Sequence, residues 1–262
     1  MKTALCIGIN AYSSAPLAGC VNDANDWADF LTKKGYHVTK LLNKDATKKA
    51  IFDGIMQLTK SLNAGDKGVI FFAGHGTWIP DVNGDEVDGR DECLCPYDMS
   101  ATNLIVDDEL AQCWVQIKPG SQLVLITDSC HSGTVFRFAD GEEPYTPFIR
   151  YIPPANIFTE QRDLNNAQLA MRFTPTSLGD QPVQGLIHFA GCGDKEYSCD
   201  ARFNGRPNGA FSRAALDVLN SNFHGTYQDL YKAIRKKLPS WNYPQTPELN
   251  ATSVDKLAPA FV

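Results

Sequence analysis

The sequence predicts an α/β fold with a mostly parallel central sheet flanked by helices on both faces. Three observations carry that expectation. Apolar strand-like runs alternate with helix-like stretches along the chain. Several of those runs are continuous rather than alternating, as in strands buried on both faces. The 262 residues, 43% hydrophobic and 21% charged, suit one large globular domain and exclude a disordered chain.

The elements follow in order. Ala4–Ile9 is a short apolar strand. Asn22–Lys34 reads as a helix: Ala24, Trp27, Ala28 and Leu31 share one face, Asp23 and Asp26 stand near the start, Lys33 and Lys34 at the end, and Gly35 follows. Tyr36–Leu42 is a strand. A second helix runs from Thr47 to Leu62 with Ile51, Ile55, Leu58 and Leu62 on one face. Val69–Ala73 is a buried strand, and a short strand around Glu92–Cys95 follows an acidic stretch. Asp107 and Asp108 open a helix carrying Leu110, Trp114 and Ile117, and Gln122–Thr127 is a further buried strand. Residues 135–184 are proline-rich and aperiodic, too long for an ordinary loop, and mark function or mobility. Order resumes with the strand Leu186–Ala190 and helices at Ala210–Leu219 and Thr226–Leu238.

Composition narrows the function classes. A net charge of −6 argues against nucleic acid bound on a basic surface. No apolar run reaches the roughly 18 residues of a membrane span. Leu17-Ala18-Gly19-Cys20 imitates a lipoprotein cleavage site, but the apolar run before it is short and interrupted, so Ala4–Ile9 is read as a strand. Eight cysteines are too dilute for a disulfide scaffold, and Cys93 and Cys95 are spaced as buried thiols rather than as a zinc site. A cytoplasmic location with reduced thiols is the expectation.

Two segments concentrate chemistry. Phe71-Phe72-Ala73-Gly74-His75-Gly76 and Leu125-Ile126-Thr127-Asp128-Ser129-Cys130-His131-Ser132-Gly133 are apolar strands that end in small residues flanking a reactive side chain. In open α/β sheets reactive groups gather past the carboxyl ends of strands. A thiol becomes a strong nucleophile when an imidazole takes its proton, so Cys130 with His75 suffices for acyl transfer. Amides around Cys130 and Gly76 would hold the oxyanion. His131 competes as base, but adjacent residues of an extended segment point to opposite sides, which favours His75.

The two segments resemble the His and Cys motifs of the metacaspases, caspase-like cysteine peptidases of family C14. The resemblance extends to Ile7-Gly8-Ile9-Asn10, Gly19-Cys20-Val21-Asn22-Asp23-Ala24, Asp85–Glu92, Val106–Glu109 and Gln245–Leu249. It looks closest to a compact type I-like bacterial form without an N-terminal prodomain. It implies a single caspase-like domain over 1–262, with a large-subunit part (1–134), a linker (135–184) and a small-subunit part (185–262). It also implies a monomer that cleaves proteins or peptides after Arg or Lys, with His75 as proton acceptor and Cys130 as nucleophile. Asp128 and Asp23 would pair with a guanidinium and repel an acidic side chain, with Cys20 and Gly76 also lining the substrate site. Asp23 as a simple helix-start charge is the alternative. Asp200 is a further candidate for the acidic cleft.

The sequence departs from the family at two places. Ala73 stands where a Ser is common two residues before the His. Asp91, Asp107 and Asp108 match calcium ligands of many members, but Arg137 replaces a fourth acidic ligand, which weakens a hard-cation site. No cofactor is therefore required, and calcium is a doubtful addition. The Asp81–Glu92 stretch is a poor EF-hand imitation. Arg137, Arg150, Arg162 and Arg172 are linker self-cleavage candidates; otherwise they serve only to solubilise a surface excursion. A catalytically silent, partner-binding caspase-like module and a calcium-responsive sensor are the rival readings.

Overall fold

The computed structural model describes residues 1–80, 89–130, 148–158, 182–193 and 196–262. The chain begins with strand β1 (Lys2–Gly8), helix α1 (Cys20–Lys33) and strand β2 (His37–Leu42). Helix α2 (Lys48–Ser61) and strand β3 (Lys67–Ala73) follow, then the short strands β4 (Gly76–Pro80), β5 (Arg90–Leu94) and β6 (Ile105–Val106). Helix α3 (Asp107–Trp114) leads into β7 (Gln122–Asp128). Beyond it come β8 (Phe148–Ile149), β9 (Leu186–Ala190), β10 (Cys199–Phe203) and β11 (Arg206–Gly209). The chain closes with α4 (Ala210–Asn220), α5 (Tyr227–Arg235), β12 (Glu248–Ala251) and the short α6 (Ser253–Lys256).

Six strands form the central sheet in the order β12-β9-β7-β3-β1-β2. All neighbours run parallel except β12, which pairs antiparallel with β9. The continuous apolar runs occupy the middle: Val69–Ala73 and Cys6–Ile7 are entirely buried. Such strands need cover on both faces, and helices supply it. Both α1 and α2 pack on β1, α1 also packs against α4, and α2 against α3. Lys48 on α2 reaches Glu109 on α3 at 2.8 Å. Thr47 starts α2 by accepting the Ala50 N–H, and Thr226 starts α5 through a reciprocal pair with Asp229.

The expected helices and apolar strands are present, with ends shifted by a few residues. Three features differ from expectation. Residues 76–80 form an edge strand paired with β5 in a separate antiparallel sheet, with Gly76, Thr77 and Ile79 buried and β6 on the far side of β5. Cys199–Asp200, which carry no strand signal of their own, are the start of β10, which forms a third sheet with β8 and β11. Residues 148–158 of the proline-rich excursion are ordered on the protein, and Arg150 is fully buried rather than a solubilising surface group. The run at 4–9 lies in a central strand, as expected, and Cys20 is buried in the first turn of α1.

Candidate active site

The parallel register sets Ala73 opposite Asp128. His75 and Cys130 each follow two residues later, at the same carboxyl edge of the sheet. Tyr12 positions the histidine: its hydroxyl donates to the Cys95 carbonyl at 2.8 Å and accepts the His75 N–H at 3.1 Å, and the two rings lie 4.7 Å apart. The His75 Nε2 meets the Ala15 carbonyl at 2.7 Å. A carbonyl only accepts, so Nε2 carries the proton and Nδ1 keeps a lone pair. Among the described residues Nδ1 has no hydrogen-bond partner. Burial lowers the imidazole to about 4, so the ring is a neutral base.

Cys130 is buried, and the Ser198 N–H donates to its Sγ. The backbone N–H groups of Cys130 and Gly76 converge on one acceptor, the carbonyl oxygen of Arg150, at 3.1 Å and 3.0 Å. This is the geometry of two amides cradling an oxyanion, formed by the two residues singled out for it. Cys192 stands beside the nucleophile: contact with Cys130 first, then burial, raises its thiol.

The Arg150 side chain fills an acidic cavity. Its Nη2 lies 2.5 Å from Asp23 Oδ2 and 2.9 Å from Asp200 Oδ1, and its Nη1 lies 3.0 Å from Asp128 Oδ2 and 3.1 Å from the Asp128 carbonyl. All four side chains are fully buried. Burial works against the charged guanidinium, but Asp128, then Cys20, Asp23 and Asp200 outweigh it and raise it above its ordinary value. Three carboxylates around one cation leave an excess of negative charge. Burial accordingly pushes Asp23 up to about 6 despite the guanidinium beside it.

Each carboxylate is held from behind. Asp23 accepts from the Gly209 N–H at 2.8 Å and from Asn208 Nδ2 at 2.7 Å. Asp128 accepts from Ser212 Oγ at 2.6 Å, from the Ser212 N–H at 3.1 Å and from Ser198 Oγ. Asp200 accepts from the Ala18 N–H at 2.7 Å and the Gly19 N–H at 2.9 Å. The close approach needs glycine: a Cβ on Gly209 would lie 2.3 Å from Asp128 Oδ2, and one on Gly19 would lie 2.2 Å from Asp200 Oδ1.

His75, Gly76, Cys20, Asp23, Asp128 and Cys130 thus meet around residue 150, as the motifs anticipate. His131 and Arg137 lie outside the described residues, as do Arg162 and Arg172. Asp200 makes a full third wall of the cavity. Asn208, Gly209 and Ser212 carry no motif signal, since their roles arise from distant segments meeting. Arg150 has a signal: it is one charge within Phe148-Ile149-Arg150-Tyr151-Ile152, an apolar run between two prolines.

The three acidic residues matched to calcium ligands lie elsewhere, Asp91 on β5 and Asp107 and Asp108 at the start of α3. Burial, then the charges of Glu92 and Asp91, push Asp107 up to about 8. Among the described residues no three His, Cys, Asp or Glu side chains converge as ligands of one metal ion. The EF-hand-like residues Asp81, Asn83 and Asp85 lie outside the described residues. No step below passes through calcium. Among the described residues no helix is long and apolar enough to cross a membrane.

The sheet order and a Cys and His on adjacent strand ends define a caspase-like α/β protein. Comparison with known proteins agrees. A crystal structure of a protein from Geobacter sulfurreducens superposes with a TM-score of 0.81 at 29% identity, covering 100% of this chain and 99% of that one. Residues 2–139 match the sequence profile of the metacaspase, peptidase C14 domain. The Metacaspase-1 of Kluyveromyces lactis is 30% identical over 96% of this chain. Metacaspase-1 of Cryptococcus neoformans var. neoformans is 32% identical over 96%. The chain belongs to the metacaspase family. It spans 66% and 62% of the length of those two relatives.

Proposed function

We propose that the protein is a cysteine endopeptidase that cleaves peptide bonds after Arg or Lys, and that the Arg150–Tyr151 bond of its own chain is a substrate. One observation carries the reading. The Arg150 guanidinium sits among Asp23, Asp128 and Asp200 while its carbonyl oxygen accepts from the Cys130 and Gly76 amides. The residue before the scissile bond (P1) would be bound in this way at both ends.

The chemistry follows from the geometry. His75 Nδ1 takes the Cys130 thiol proton, and the Sγ attacks the P1 carbonyl carbon. The new oxyanion remains on the two amides, which strengthen as charge develops. Collapse breaks the C–N bond, and the imidazolium returns the proton to the departing amine of the next residue. Water, deprotonated by His75, then hydrolyses the thioester and frees Cys130. An acidic P1 residue would face three buried carboxylates, a repulsion that sets the selectivity. Lys would reach the same carboxylates as a point charge, without the two-armed pairing of Arg.

All three parts of the chain contribute to the cleft, which supports a single domain, 1–262. The eight described thiols are free and buried, consistent with a reduced, cytoplasmic setting, and the resemblance supports a monomer acting on proteins or peptides with basic P1 residues. The test is mass spectrometry of the purified protein beside Cys130→Ala, under reducing conditions with and without Ca²⁺. Fragments ending at Arg150 and beginning at Tyr151, absent from Cys130→Ala, are expected, together with turnover of fluorogenic Arg and Lys peptides. An intact chain and no turnover after Arg or Lys would overturn the reading.

A further inference from the structure

The segment lying in the cleft is gripped asymmetrically. On the side before Arg150, β8 pairs antiparallel with β10, setting Ile149 opposite Cys199 and Phe148 opposite Asp200. These contacts are backbone contacts, and the Phe148 side chain is 53% exposed. On the side after Arg150 the chain changes partner. Tyr151 forms a parallel bridge with Gly76, and the Ile152 N–H donates to the Gly76 carbonyl at 3.0 Å. Gly76 therefore serves twice: its N–H holds the Arg150 carbonyl and its C=O fixes the residue two positions beyond the bond.

Side chains are engaged on this second side. The Trp78 indole N–H donates to the Tyr151 hydroxyl at 3.1 Å. The Tyr197 ring stands 6.2 Å from the Tyr151 ring at 53°. Behind Trp78, the Arg90 guanidinium lies 4.3 Å from the indole centroid, which stiffens the indole in place. Ile152 is only 2% exposed.

We infer that β4 and Tyr197 form a specificity site for the residues after the scissile bond, taking an aromatic hydroxyl-bearing residue first and an aliphatic residue second. The inference rests on the cleavage reading above and extends it past the P1 residue. The half-buried indole N–H of Trp78 gains an acceptor from a phenol oxygen that a bare phenyl ring does not offer. A covered aliphatic side chain contributes apolar burial that glycine lacks. The residue at the Phe148 position, 53% exposed, contributes less selectivity than the two after the bond.

The test uses quenched fluorescent peptides built on Phe-Ile-Arg-Tyr-Ile-Pro, the chain's own sequence from 148 to 153. Relative kcat/KM values are compared within one enzyme preparation. A self segment competing for the cleft divides all of them by the same factor, so the ratios survive. Replacing Tyr-Ile by Gly-Gly is expected to lower kcat/KM roughly tenfold or more. Replacing Tyr by Phe should lower it about three- to tenfold, the range for one net hydrogen bond. Replacing the leading Phe by Ser should change it little. In Trp78→Phe the Tyr-over-Phe preference should vanish, a coupling that mere loss of stability would not produce. Equal turnover of the Tyr-Ile and Gly-Gly peptides, or a Tyr-over-Phe preference that survives Trp78→Phe, would overturn this inference and leave Arg-directed cleavage standing. Cleavage of none of them after Arg would overturn both.

Discussion

His75 presents a lone pair to the cleft because its other nitrogen is occupied. The Ala15 carbonyl takes the Nε2 proton, and burial holds the ring at about 4 rather than near its ordinary value. The neutral base is present above the folded-state value and lost as pH falls through it. The base therefore sets an acid limb near pH ~4, and Asp23, at about 6 beside Arg150, adds a weaker one above it that Asp23→Asn should remove. The protein can be purified with its thiol reversibly blocked and released with a phosphine, with fragment formation followed across pH. An acid limb near pH ~6.5 that persists in Asp23→Asn would show an exposed histidine instead. Arg150 illustrates the opposite electrostatics: burial disfavours its charge, and three carboxylates restore it. Arginines in proline-rich excursions are ordinarily solvated, so its role became visible only once its burial and partners were known.

At the scale of elements, the cavity depends on how closely β11 and the start of α4 approach β7. Gly209 sits at that junction with no room for a Cβ, which would also lie 2.6 Å from Arg150 Nη1. Gly209→Ala is expected to keep the far-ultraviolet circular dichroism of the native protein while slowing self-cleavage roughly tenfold or more, through displacement of Asp128 and Arg150 from their paired positions. Self-cleavage at the native rate would show that the junction yields without cost to the site. The long apolar strands and amphipathic helices were legible because period and burial are written in their own residues. The short strands β4, β6, β8, β10 and β11 were not, because two- to five-residue strands gain their stability from partners far along the chain.

At the scale of the whole molecule, the Arg150–Tyr151 bond divides one sheet between two fragments. Strands β9 and β12 fall after it, yet β9 pairs along its whole length with β7, which falls before it. Asp200 and Gly209 likewise come from the second fragment to complete a cavity whose other walls, Asp23 and Asp128, belong to the first. Cutting one backbone bond removes none of these contacts. The fragments 1–150 and 151–262 should therefore co-elute in size exclusion under native conditions and separate only in denaturant. Elution as two independent species would mean that the connection itself, not the shared sheet, holds the halves together.

The sequence by itself determined the sheet-and-helix class and singled out Cys130, His75, the amides that meet the Arg150 carbonyl and two carboxylates of the cavity. Those signals are local: each motif carries a strand, its abrupt end and a reactive side chain within about ten residues. Only the tertiary structure decided which residue the cavity holds, that Asp200 completes it, and that Trp78, Tyr197 and Gly76 receive the chain beyond the bond. Those facts depend on segments 50 to 186 positions apart meeting at a few ångströms, as Arg150 and Asp200, Trp78 and Tyr151, and Asp23 and Gly209 do. No pattern within a single stretch of chain encodes such a meeting, because it arises from the packing of the whole sheet.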